Sequence, residues 1–186
     1  MIAMDYSDLT LAVVVPATLV ACWIDYAKRK VPNWLNAALA LAGMAAQTAY
    51  FGWSGLATAL AGMVVGIGLL IVPWAMHGMG AGDVKLMGAI GAWFGPLMCL
   101  WAFAIGAVVG GLIAVVMITW SGKWRYASGN MAVIMAKVQS KDRAFSEFGS
   151  ARSFGATSSL LPYGIPLSIG AWLVLIATQS GWWRVV

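Results

Sequence analysis

Two aspartates stand apart from the other acids of this chain. Asp5 and Asp8 lie in the N-terminal tail, and Asp142 and Glu147 in a long basic stretch; only Asp25 and Asp83 border apolar runs long enough to cross a membrane. A carboxylate in such a position costs about 2.5–3.5 kcal/mol at a helix centre and less near the interface, which makes it a functional candidate by default. Two carboxylates that share a site cannot both ionise easily, so the pair holds one proton. The ionised member can then activate a water while the protonated member polarises a peptide carbonyl, the division of labour used by aspartic proteases. That chemistry needs no metal and no covalent nucleophile, and no cofactor is expected. With a single His77, and with Cys22 and Cys99 both inside apolar stretches, the sequence offers no Cys/His metal-ligand spacing.

The neighbours of the two acids sharpen this picture. Gly80-Ala81-Gly82-Asp83 places two glycines just before the acid, and glycine lets another backbone approach closely. A substrate strand could pass near the carboxylate there; the alternative is an ordinary flexible turn, with Asp83 as a helix N-cap. Asp25 has its own alternative, an interfacial charge paired with Lys28 or Arg29 at i+3 and i+4. Lys85 either reaches the headgroups along its apolar stem or acts on Asp83. Val31-Pro32-Asn33 opens the next apolar run, with proline suited to a first helical turn. Asn33 either hydrogen-bonds Asp25 or caps that helix.

These residues sit in an overwhelmingly apolar frame. Of 186 residues 62% are hydrophobic and 9% charged, with a mean hydropathy of +0.86, against about 25% charged in a soluble domain. The composition predicts an integral membrane protein whose first partner is the lipid bilayer. Eleven bases stand against six acids; in a soluble protein this excess would suggest nucleic acid, but here it belongs in cytoplasmic loops, and no nucleic-acid partner is expected. The acidic N-terminus lacks the basic start of a cleavable signal peptide.

Apolar runs cover roughly Leu9–Ile24, Trp34–Trp53, Leu56–Met76 and Leu160–Ala177. Between them, Leu86 to Trp120 runs for thirty-five residues without a charge. As one helix it would be about 52 Å long, well beyond a ~30 Å hydrocarbon core. Gly95-Pro96 supplies the break, predicting a short fourth helix over about 83–95 and a full fifth over about 97–120. The predicted fold class is therefore all-α: a polytopic membrane bundle of six transmembrane helices with a short fourth helix, forming one domain over 1–186. Lys28, Arg29 and Lys30 place the first loop in the cytoplasm, and six bases place a loop over about 121–158 there too. Both termini are then external, and both aspartates lie at cytoplasmic helix ends. Within that loop Met131, Ile134, Met135, Val138, Phe145 and Phe148 fit one helical face. This stretch is either an amphipathic helix on the inner leaflet or a solvated connector.

Three blocks carry a family resemblance. Asp25-Tyr-Ala-Lys-Arg-Lys-Val-Pro-Asn33 is similar to the D-x-x-x-R-x-I-P-N stretch of prepilin peptidases. Gly80-Ala-Gly-Asp-Val-Lys-Leu86 resembles their G-x-G-D-V-K-L block, and Pro162-Tyr163-Gly164 the P-Y-G stretch that opens their last helix. The blocks occur in the family's order and span nearly the whole chain. The resemblance implies a type IV leader peptidase, a membrane aspartyl protease of the GxGD type in the bacterial inner membrane. Its substrates would be prepilins or pseudopilins, cut behind a short basic leader at the cytoplasmic face. It implies catalytic Asp25 and Asp83, a loop shaped by Gly80 and Gly82, and family positions at Pro32, Asn33, Lys85, Pro162, Tyr163 and Gly164. Larger members carry a cytoplasmic insertion with two CxxC pairs and methylate the new N-terminus with S-adenosylmethionine. This chain has neither the insertion nor the cysteines, resembling instead the small form of tight-adherence (Flp) pilus systems, and the resemblance does not extend to methyltransferase activity.

Two other classes fit the aspartates less well: a small proton-coupled carrier using both as proton sites, and a structural subunit of a secretion machine. Carriers often show an internal repeat, and none is visible. The charge distribution makes the topology testable. A reporter fused near Ser140 is expected to read cytoplasmic and one placed after Trp183 external; a cytoplasmic C-terminus would break the six-helix count and separate the aspartates.

Overall fold

A computed structural model describes residues 5–28, 31–75, 79–121 and 163–180. Four helical elements run through them: α1 (Tyr6–Lys28), α2 (Asn33–Ala75), α3 (Ala81–Ser121) and α4 (Gly164–Gln179). No strand occurs among the described residues. Pro162, Arg29, Lys30, His77 and the stretch 122–158, where the amphipathic helix is expected, lie outside them.

Local chemistry sets the helix starts. Asp5 caps α1, its Oδ1 accepting the Tyr6 N–H at 2.8 Å and its backbone carbonyl the Leu9 N–H at 3.0 Å. Pro32 stands immediately before α2, and its carbonyl accepts the Asn36 N–H at 3.3 Å. Because proline has no N–H and a fixed φ, it suits this place.

The two longest elements are each interrupted once. Gly52 (φ 65°) breaks α2 and Gly95 (φ 71°) breaks α3, in the left-handed region that glycine occupies without penalty. The second break falls at the predicted Gly95-Pro96. It turns the Trp93 carbonyl away from the regular i→i+4 ladder, and two side chains take it up: Tyr6 Oη donates at 2.6 Å and Gln47 Nε2 at 3.1 Å. Trp93 Nε1 in turn donates to the Leu39 carbonyl at 2.8 Å. The polar groups released by one kink thus tie α1, α2 and α3 together in an otherwise apolar interior.

The first limb of α3 is the centre of the fold. Residues 86–95 are all buried, as a helix apolar on every side requires. The second limb of α2 lies against it at backbone distance: a Cβ on Gly62 would strike the Gly91 carbonyl, and one on Gly66 the Met87 carbonyl. Gly106 and Gly170 give α3 and α4 a similar approach. α1 packs against α2 and α4.

The outer surface is greasy. Leu41, Val64, Val108 and Ile176 are exposed, along with many other large apolar side chains. Helices α1 and α2, and α3 over Ala81–Trp120, are long and apolar enough to cross a membrane. α4, with 16 residues, is about 24 Å long. Apolar side chains on the outside of such helices need lipid rather than water, so the protein is membrane-embedded. Residues up to Gly110 and from Tyr163 onward belong to one compact unit; residues 111–121, which belong to the second, are helical.

The glycine contact predicts a stability difference. Gly62→Leu is expected to cost at least 1–3 kcal/mol by overpacking and to lower the thermal midpoint in detergent by several degrees. Gly68→Ala, at a glycine with open space around it, is expected to leave the midpoint unchanged or raise it. Equal midpoints for the two variants would exclude the close α2–α3 approach.

Candidate active site

The two aspartates arrive from opposite kinds of helix end. Asp25 lies in the last turns of α1 and Asp83 in the first turn of α3. Both are buried, 5% and 6% exposed. Gly164, the first residue of α4, brings them to one place. A Cβ built on it would lie 3.0 Å from Asp25 Oδ2 and 3.6 Å from Asp83 Oδ1. Both carboxyl groups therefore border the space that a methyl group on this residue would fill, close enough to each other to interact electrostatically.

Each partner has local support. The Asp83 N–H donates to the Gly80 carbonyl at 3.2 Å, closing the turn that aims the side chain. Gly80 lies alongside the carboxyl, its would-be Cβ 3.4 Å from Asp83 Oδ2. Asp83 is inside the helix, two residues past its first residue, so it is not the N-cap of the alternative reading. The Gly164 N–H contacts the Asp25 carboxyl, while Asp25 Oδ2 is buried without a hydrogen-bond partner. Of the two salt-bridge partners in the alternative reading of Asp25, Lys28 is exposed and Arg29 lies outside the described residues.

The glycine turn is fastened to the start of α2. A Cβ on Gly82 would be 3.2 Å from the backbone N and O of Val31, which is itself buried. Lys85 Nζ donates to Asn33 Oδ1 at 2.9 Å. Asn33 is therefore bonded to Lys85 rather than to Asp25, because it projects toward the exposed side of the α2–α3 junction. The interior bond comes from Asn36, one turn further on: its Nδ2 donates to the Gly82 carbonyl at 3.0 Å. On the other side, the Gly164 carbonyl accepts from Ser168 Oγ at 2.7 Å and from Cys22 Sγ at 3.7 Å.

The structure thus brings together Asp25, Asp83, Gly80, Gly82 and Gly164, with Pro32, Asn33 and Lys85 at the α2–α3 junction. Tyr163 directly precedes α4 without a side-chain cap bond and is partly exposed. Sequence reasoning missed Asn36, Ser168 and Cys22. Asn36 had a usable signal, an amide inside an apolar run and one turn from Asn33; Ser168 and Cys22 had none, since nothing local says which way they point.

Chemically, the site presents two carboxyl oxygens to one point in a surrounding from which water is largely excluded. Such a pair can hold a single proton, draw a proton from a water and give one to a carbonyl oxygen. Among the described residues no three His, Cys, Asp or Glu side chains gather as metal ligands.

The family model of the type IV leader peptidase family matches residues 12–115, which include both aspartates and the whole glycine turn. Comparison with curated proteins and with solved structures returned no match.

Gly164 makes the convergence testable. Gly164→Ala would press a methyl group on Asp25 and, since misplacement by about 1 Å costs on the order of a hundredfold, is expected to lower peptidase turnover ten- to a hundredfold in a folded protein. Wild-type turnover would show that the aspartates do not meet at this glycine.

Proposed function

Because the chain belongs to the type IV leader peptidase family, we propose that it is a membrane aspartyl endopeptidase that removes the short basic leader of prepilins at the cytoplasmic face of the bacterial inner membrane. The observation that carries this reading is the approach of Asp25 and Asp83 to one glycine, both buried and both in helix-end turns. One carboxylate takes a proton from the attacking water; its protonated partner donates to the scissile carbonyl oxygen. The tetrahedral intermediate then collapses as the leaving amine takes up a proton, and the pair returns to its single-proton state.

Position explains the substrate class. A prepilin carries a basic leader followed by an apolar helix. The helix enters the bilayer and stops the cut site at the interface, while the leader's charge keeps it on the cytoplasmic side. The glycine-lined turn at 80–82 favours a small residue before the bond that is cut. The six-span topology with external termini puts both aspartates at that depth, in a single peptidase domain. The absence of paired cysteines supports the small, Flp-type form, acting as a peptidase without methyltransferase activity.

Purified protein in detergent, incubated with prepilin and followed by mass spectrometry, provides the test. Asp25→Asn and Asp83→Asn are each expected to abolish cleavage while expression and membrane insertion persist. The double variant is expected to be no worse than either single one, because the pair acts as a unit. Ala at Asp5, Asp8, Asp142 or Glu147 is expected to be tolerated. An Asp25→Asn protein that processes prepilin near the wild-type rate would end the dyad assignment.

A further inference from the structure

Asn36 is a costly residue where it stands. It lies in the first turn of α2, 3% exposed, with apolar Leu35 and Leu39 buried beside it. Only half of its amide is used: Nδ2 donates to the Gly82 carbonyl, while Oδ1 is buried with no partner. An unpaired buried acceptor costs about 1–3 kcal/mol, comparable to or larger than the net gain from one hydrogen bond. Leucine, the nearest apolar shape, would carry neither the bond nor the penalty. Net stability therefore gives no reason for an amide here, which leaves what its bond holds in place.

That bond acts on the peptide unit between Gly82 and Asp83. A peptide unit is planar and moves as one body. Its N–H end is held by the Gly80 carbonyl at 3.2 Å, and its C=O end by Asn36 at 3.0 Å, in addition to its place in the helical ladder. The Cα of Asp83 belongs to the same plane. Rotating the plane swings the Asp83 side chain, and the glycines on its N-terminal side do little to resist rotation. The Lys85–Asn33 bond joins the same two segments from the exposed side, where water competes for it.

We propose that Asn36 is a positioning residue: by holding the Gly82 carbonyl it fixes the Gly82–Asp83 peptide plane and so the approach of the Asp83 carboxyl to Asp25. The proposal rests on the Asp25–Asp83 dyad described above. It predicts an effect on turnover rather than on substrate binding, since Asn36 itself touches no reacting group.

Prepilin cleavage by purified Asn36→Leu, Asn36→Asp and Asp83→Asn proteins, with thermal midpoints taken in the same detergent, separates the possibilities. Asn36→Leu is expected to lower kcat ten- to a hundredfold with KM within about twofold of wild type, the scale of an ångström-sized misplacement. Its thermal midpoint should not fall, since the unpaired acceptor leaves with the donor. Asn36→Asp keeps the shape but turns an acceptor toward the Gly82 carbonyl, and is expected to lower kcat at least as far; it also serves if the leucine variant does not fold. Wild-type kcat in either folded variant, or a change confined to KM, would overturn the proposal. Asp83→Asn tells the two levels apart. If it is inactive while a folded Asn36 variant has wild-type kcat, positioning by Asn36 fails and the dyad stands; if it is active, the dyad fails and the positioning role with it.

Discussion

Everything at the candidate site turns on holding two carboxyl groups together in an apolar surrounding. Asp25 is placed against its own helix, because the C-terminal end of α1 carries the negative end of the helix dipole, opposing an acidic side chain by about 0.3–1 kcal/mol. The start of α4 meets it there, presenting the Gly164 N–H to the carboxyl. Asp83 lies at the favourable end of α3, where free N–H groups and the positive end of the dipole are found. Of the three helix ends that meet here, the N-terminal ends of α3 and α4 therefore offset what the end of α1 opposes. The absence of a side chain at Gly164 is what lets the third of them come close enough.

This arrangement depends on how the far end of the bundle is built. The first limb of α3 is buried on every side, so its axis is set by its neighbours rather than by solvent. The kink at Gly95 ends that limb, and the Trp93 carbonyl it frees is held by Tyr6 and Gln47. The same interactions that satisfy the kink anchor the N-terminal part of α1, whose other end carries Asp25. The Gly62–Gly91 contact fixes the second limb of α2 against the same core. Lipid supplies little drive for helices to associate, so close backbone approach and interior hydrogen bonds carry more of that task than in a soluble core.

Much of this was legible in the residues. Apolar run lengths announced a membrane-embedded helical protein, and an uncharged stretch too long for one span demanded a break that Gly95-Pro96 could supply. Asp25 and Asp83 were conspicuous because acids are costly at apolar helix borders and few others were available. The partners of Asn33 and Lys85 were not legible. Spacing leaves Asn33 between Asp25 and a helix cap, and Lys85 between Asp83 and the headgroups, yet the two bond to each other, because side-chain direction at a helix start depends on how two helices meet and not on spacing along either.

The sequence by itself determined the chemistry on offer: two carboxyls at helix borders, glycines before one of them, and an apolar chain that water cannot solvate. These are properties of composition and local order, which hold whatever the packing. Only the tertiary structure decided that the carboxyls meet at Gly164, that Asn36 rather than Asn33 grips the Gly82 carbonyl, and that Tyr6 and Gln47 complete a kink far along the chain. Each of those contacts joins residues at least 46 positions apart, and a contact across such a separation is fixed by the shapes of the surfaces that pack between them.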